Sequence, residues 1–75
     1  MEVKYYKVTS DRLNYPAYYA AYNPEEVKKT ASSDFNSQFS FRTTQTTLAE
    51  IPKDAVILTA ELSREDARKL AIAHG

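Results

Sequence analysis

Residues 22–27 read Tyr22-Asn23-Pro24-Glu25-Glu26-Val27, and the fold is read outward from them. Asn23 suits a helix N-cap, because its side-chain oxygen can accept a free backbone N–H. Pro24 suits the first helical position, where no N–H is needed. Glu26 then falls at the third position, where a carboxylate can reach back to the cap. Tyr22 and Val27 are spaced to staple across the helix start. The spacing predicts a helix from Pro24 to about Ser33, broken by residues 32–38.

The same logic returns forty residues later. Ser63 is the cap, Asp66 stands at the third position, and Leu62 and Ala67 take the staple positions. A second helix is expected from Arg64 to about His74, ended by Gly75.

Between and before these helices lie strand-like runs. Residues 2–9 are rich in aromatic and β-branched types, residues 17–22 in tyrosine and alanine, residues 39–47 in threonine and phenylalanine, and residues 55–60 form an apolar run. Ser10–Pro16 and Leu48–Asp54 carry loop chemistry. The expected fold is therefore α+β: a two-layer sandwich in β-β-α-β-β-α order. Its four-stranded sheet should be mostly antiparallel, with two helices on one face. Residues 1–75 make a single domain, divisible into β-β-α units 1–35 and 36–75. Ala20, Glu25, Glu26, Lys28, Lys29 and Ala31 match Ala60, Glu65, Asp66, Arg68, Lys69 and Ala71. Duplication gives that match, and so do the shared preferences of helix starts.

Strand parity follows from the staples. Tyr6/Val8, Tyr18/Ala20/Tyr22, Phe39/Phe41 and Val56/Leu58/Ala60 are expected to face the core. Val27, Ala31, Ala67, Leu70 and Ala71 would cover them at helical spacing. The other face then carries Val3, Tyr5, Lys7, Tyr19, Arg42, Thr44, Thr46, Ile57 and Thr59, and it should be open.

Composition narrows the functions. Ten basic residues balance ten acidic ones, so net charge gives no long-range steering onto nucleic acid. Cysteine is absent, which removes disulfides, thiolate metal sites and cysteine nucleophiles. No run approaches the roughly 20 apolar residues a membrane helix needs. The N-terminal residues hold no signal-peptide core, so a cytoplasmic protein is expected.

Catalytic chemistry is equally thin. The one histidine, His74, lies in the last helical turn, where the helix dipole accounts for it. The one glycine is terminal, so no phosphate-cradling loop is expected. The acidic pairs Glu25/Glu26 and Glu65/Asp66 fall in first helical turns, where capping explains them. Glu25–Lys29 and Glu65–Lys69 are spaced as solvated helical ion pairs. No catalytic residue, metal, cofactor or small-molecule substrate is expected.

What remains is binding. Five tyrosines fall in the first two strands, more than a small core accommodates easily, since each buried hydroxyl needs a partner. Tyr5, Lys7, Tyr19, Arg42, Thr44 and Thr46 are the expected partner-binding residues. A non-catalytic protein-binding module follows, a small regulator or inhibitor of a protein complex. Its size and lack of chemistry suit the anti-CRISPR type encoded by phages and mobile elements. Two alternatives use the same residues. One is a single-stranded nucleic-acid binder that stacks bases on tyrosine, with Lys4, Lys7 and Arg42 for phosphates. The other is a homo-oligomeric structural subunit, for which the uncharged strand around Thr43–Thr47 offers an edge for self-association.

Overall fold

A computed structural model describes residues 2–11, 13–35 and 40–74. The elements run β1 (Lys4–Thr9), β2 (Ala17–Ala21), α1 (Pro24–Phe35), β3 (Arg42–Thr46), β4 (Ile57–Thr59) and α2 (Arg64–His74). A short 3₁₀ turn, Leu48–Glu50, lies between β3 and β4. The expectations for Phe39 as a core residue, for the His74 side chain and for Gly75 as helix stop lie outside the described residues.

The fold is α+β, in the expected element order. Its four-stranded sheet has the order β3-β1-β2-β4. β1 pairs antiparallel with both β2 and β3, but β2 and β4 run parallel. The sheet is thus mixed rather than mostly antiparallel. The reason is topological: β3 and β4 do not form a second hairpin but occupy opposite edges. Their connection must carry the chain across the sheet, and it returns β4 in the direction of β2.

Both helix starts are capped as their sequences imply. Asn23 Oδ1 accepts the Glu26 N–H at 3.0 Å, and Ser63 Oγ accepts the Asp66 N–H at 3.2 Å. α1 does not break at Ser32 but continues to Phe35. Tertiary contacts hold this last turn. Asp34 accepts the Tyr19 hydroxyl at 2.8 Å, and Phe35 packs on Phe41 with ring centroids 6.0 Å apart. The chain leaves β4 through Glu61, which takes a left-handed conformation with φ 60°. A non-glycine residue pays for that conformation in steric crowding.

The principal core joins Tyr6, Val8, Tyr19, Ala21, Val27, Ala31 and Ala60, with Ala17, Phe35 and Phe41 packed against it. This reverses the parity expected for β2. Ala17, Tyr19 and Ala21 face α1; Tyr18 and Ala20 face away. The expectation rested on Tyr22 pointing inward as a staple. Tyr22 instead lies one residue beyond β2, and its hydroxyl is engaged at the start of α2. It accepts the Ser63 N–H at 3.0 Å and donates to the Asp66 carboxylate.

β4 shows a second departure. Its parity is as expected, since Leu58 pairs beside Tyr19 and Ala60 joins the core. Yet Val56 is 76% exposed and Leu58 38%. Neither side chain is buried by a helix. Among its described residues α2 buries Leu70 alone; Ala67 is half-buried and Ala71 is exposed. α1 therefore supplies the helical side of the principal core, and Leu70 stands outside that cluster.

Candidate functional site

On the face away from α1, the register arranges side chains in rows across the sheet. One row is Thr44–Lys7–Tyr18–Ile57; the next is Thr46–Tyr5–Ala20–Thr59. Residues 47–56 pass over this face, because they must travel from one edge to the other while α1 occupies the opposite face. Leu48 lies near Tyr5 and Thr46 at one side, and Pro52 near Tyr18 at the other. Ile51, in the middle of the crossing, is buried, as is Ala20; neither belongs to the principal core. The face expected to be open is thus strapped along one row and open along the other.

The expected partner-binding residues divide accordingly. Lys7, Thr44 and Arg42 are exposed on the unstrapped part. Tyr5 and Thr46 lie in the strapped row and are half-buried; the Thr46 hydroxyl donates to Glu50 within the strap at 2.9 Å. Tyr19 is not on this face at all. It is fully buried in the core, so it offers no surface to a partner. Adjacent tyrosines at 18 and 19 put one on each face, and Tyr18 takes the outward place.

Tyr18 leads to the feature that sequence reasoning missed. With Tyr15 and Pro16 before β2, and Pro52, Ala55 and Val56 at the end of the strap, it lines a cleft of about 390 Å³. Among the described residues, Asp54 is the one charged residue on its wall. Tyr15 is 83% exposed and Val56 is 76% exposed. The two are 41 residues apart in sequence, so no local pattern announces their meeting. A second cleft, of about 430 Å³, lies at the other end of β1 and β3. It is lined by Thr9, Ser10, Asp11, Ser40, Phe41 and Arg42 and is mainly polar.

Electrostatics sets the tyrosines apart. Burial pushes the Tyr19 hydroxyl well above the ordinary tyrosine range, and its bond to the Asp34 carboxylate adds to this. Burial also raises Tyr6, with the Glu25 charge contributing. Asp66 is held below the usual carboxylate value, chiefly by the Tyr22 hydroxyl. The Tyr19 and Asp66 shifts accompany structural hydrogen bonds away from the cleft, and the Tyr6 shift accompanies burial in the core. Among the described residues, no three His, Asp or Glu side chains gather in a way that could hold a metal ion. No helix among them is long and apolar enough to cross a membrane.

No family model matches this chain, and neither does any curated protein or solved structure.

Proposed function

We propose that the chain is a non-catalytic, cytoplasmic protein-binding module, a small regulator or inhibitor of a protein complex. Its docking surface is the cleft between Tyr15, Tyr18 and Val56, continued by the exposed Lys7 and Thr44. One observation carries this reading: the chain's most exposed large apolar residues include Tyr15 and Val56, and both lie on the same concave surface. Single exposed apolar residues are ordinary, but clustered ones in a cleft have the character of interface anchors. Tyrosine and valine would fill a partner's apolar contact, while Lys7, Asp54 and Thr44 would supply a polar rim. The base-stacking alternative loses one of its two aromatics, because Tyr19 is in the core.

The test is affinity capture from the source organism's lysate, with wild type beside Tyr15→Ala/Val56→Ala and Tyr18→Ala. The expected result is loss of the specific partners in the variants, with circular dichroism unchanged. Partners retained at full yield by all variants would overturn the proposed surface. Anisotropy with labelled single strands at low salt decides the alternative. Tight binding that Tyr15→Ala and Tyr18→Ala abolish would replace the protein-binding reading with a nucleic-acid one.

A further inference from the structure

The sheet ends in two edges of different character. β4 offers only Ile57–Thr59, with Pro52, Lys53 and Asp54 before it and Glu61 after it. β3 offers Arg42–Thr46 in unbroken antiparallel register with β1, and contains no proline or glycine. From Thr43 to Thr47 no residue is charged. Edge strands are normally blunted by shortness, lysine, proline or a bulge, because their free N–H and C=O groups recruit other strands. β4 is blunted by its shortness; β3 carries no such guard beyond Arg42 at its first position.

We propose that the β3 edge pairs with β3 of a second copy of this chain. The pairing is antiparallel and centred on Thr44, and it joins two four-stranded sheets into one across a two-fold axis. Centring on Thr44 is the one two-fold register that uses all of Arg42–Thr46 on both strands. It sets Thr44 against Thr44, Thr43 against Gln45 and Arg42 against Thr46. The Thr46 hydroxyl already holds the Glu50 carboxylate at 2.9 Å. Arg42 of each copy therefore arrives beside Glu50 of the other, and symmetry makes the pair twice.

This charge pattern selects the occupant. The edge carries a cation at its beginning and an anion held at its end, so an antiparallel copy of itself satisfies both. A parallel copy would set Arg42 beside Arg42. The two-fold axis is perpendicular to the sheet, so both copies keep α1 on the same side. The Tyr15–Val56 cleft borders the far edge and stays accessible in the dimer; Thr44 is the one residue that both surfaces use, so Tyr15→Ala/Val56→Ala tests the docking surface and the β3 variants test the dimer.

Sedimentation velocity on the full chain, from micromolar to millimolar concentration, tests the proposal. A reversible, concentration-dependent dimer is expected. Thr44→Lys, at an exposed position, sets lysine against lysine on the axis and should weaken dimerisation roughly tenfold or more. Arg42→Glu should weaken it too, and the double swap Arg42→Glu/Glu50→Arg should restore it. Thr44→Cys gives a test independent of charge. Directly opposed residues of an antiparallel pair lie about 4.5–5.5 Å apart at Cα, within disulfide reach. The chain has no cysteine of its own, so mild oxidation should link Thr44→Cys far faster than a Tyr15→Cys control. A monomer at millimolar concentration would overturn the proposal. So would a dimer insensitive to Thr44→Lys, or cross-linking no faster than the control.

Discussion

Replacing Tyr19 by phenylalanine removes one oxygen from the centre of the core and leaves the ring in place. Tyr19 is fully buried, and its hydroxyl donates to Asp34 at 2.8 Å. A net hydrogen bond contributes about 0.5–1.5 kcal/mol, more when the acceptor is charged. Asp34 is exposed, so water replaces the lost donor and the loss should sit near 1 kcal/mol. For a domain of this size that is a fall in Tm of roughly 4–8 °C. At strongly alkaline pH the sign changes. The folded state holds the Tyr19 proton well above the ordinary tyrosine range, whereas the unfolded chain releases it near pH 10. The stability tied to this proton is complete below pH 10. It is lost with further rise at about 1.4 kcal/mol per pH unit. Tyr6 shifts in the same direction and affects both proteins alike. The wild-type advantage of about 1 kcal/mol should therefore vanish slightly below pH 11, and Tyr19→Phe should be the more stable protein above that point. Urea unfolding followed by circular dichroism, from pH 7 to 11.5, measures both curves. Parallel curves with no crossing would refute the coupling between Tyr19, its burial and Asp34.

The remaining expectations concern the strap, the two ends of the sheet and the second helix. Ile51→Ala should cost about 2–4 kcal/mol, since Ile51 is the strap's buried residue, and should speed proteolysis within 47–56. Val56→Ala should change unfolding stability by less than about 0.5 kcal/mol, because the side chain is mostly exposed; a larger loss would show that β4 is covered after all. Leu70→Ala should cost about 2–3 kcal/mol and raise amide exchange along α2 before the rest of the chain, as α2 buries no other described residue. Asp66 should titrate below an ordinary aspartate by NMR. Its stabilising effect is present above the unfolded value and lost as pH falls through the folded one, and Tyr22→Phe should move the titration upward.

The helices were legible because their signals are local. Asn23 and Ser63 announce their caps within three residues, and Val27 and Ala31 lie buried one turn apart on α1. The strands were legible as elements, but their partners were not. In β2, Ala17–Ala21 has tyrosine on both faces at 18 and 19, so alternation alone leaves the inward one undecided. The deciding contact is with Asp34 on α1, which no local pattern exposes. β4 shows the converse. Val56 and Leu58 read as core because they are apolar and alternate with Ile57, but burial requires a covering layer, and α2 does not provide one there. The candidate cleft was hidden for a related reason. Tyr15 and Val56 belong to loop and strand-entry positions, and only the parallel placement of β4 beside β2 brings them together.

The crossing of residues 47–56 would also serve as the hinge of a segment exchange between two copies. β4 and α2 form a piece whose contacts with the rest include three paired residues, the bond from the Ala60 N–H to the Ala20 carbonyl, the Tyr22 hydroxyl, the packing of Ala60 and the burial of Leu70. Straightening the strap would lift that piece away whole and leave Tyr18–Ala20 of β2 as a bare edge. A second chain could fill that edge with its own β4–α2, remaking every native contact in an interlocked, domain-swapped pair. Such a pair would be indifferent to Thr44→Lys yet sensitive to the length of 47–56. Shortening the strap by a few residues would favour the swap, and lengthening it would suppress it.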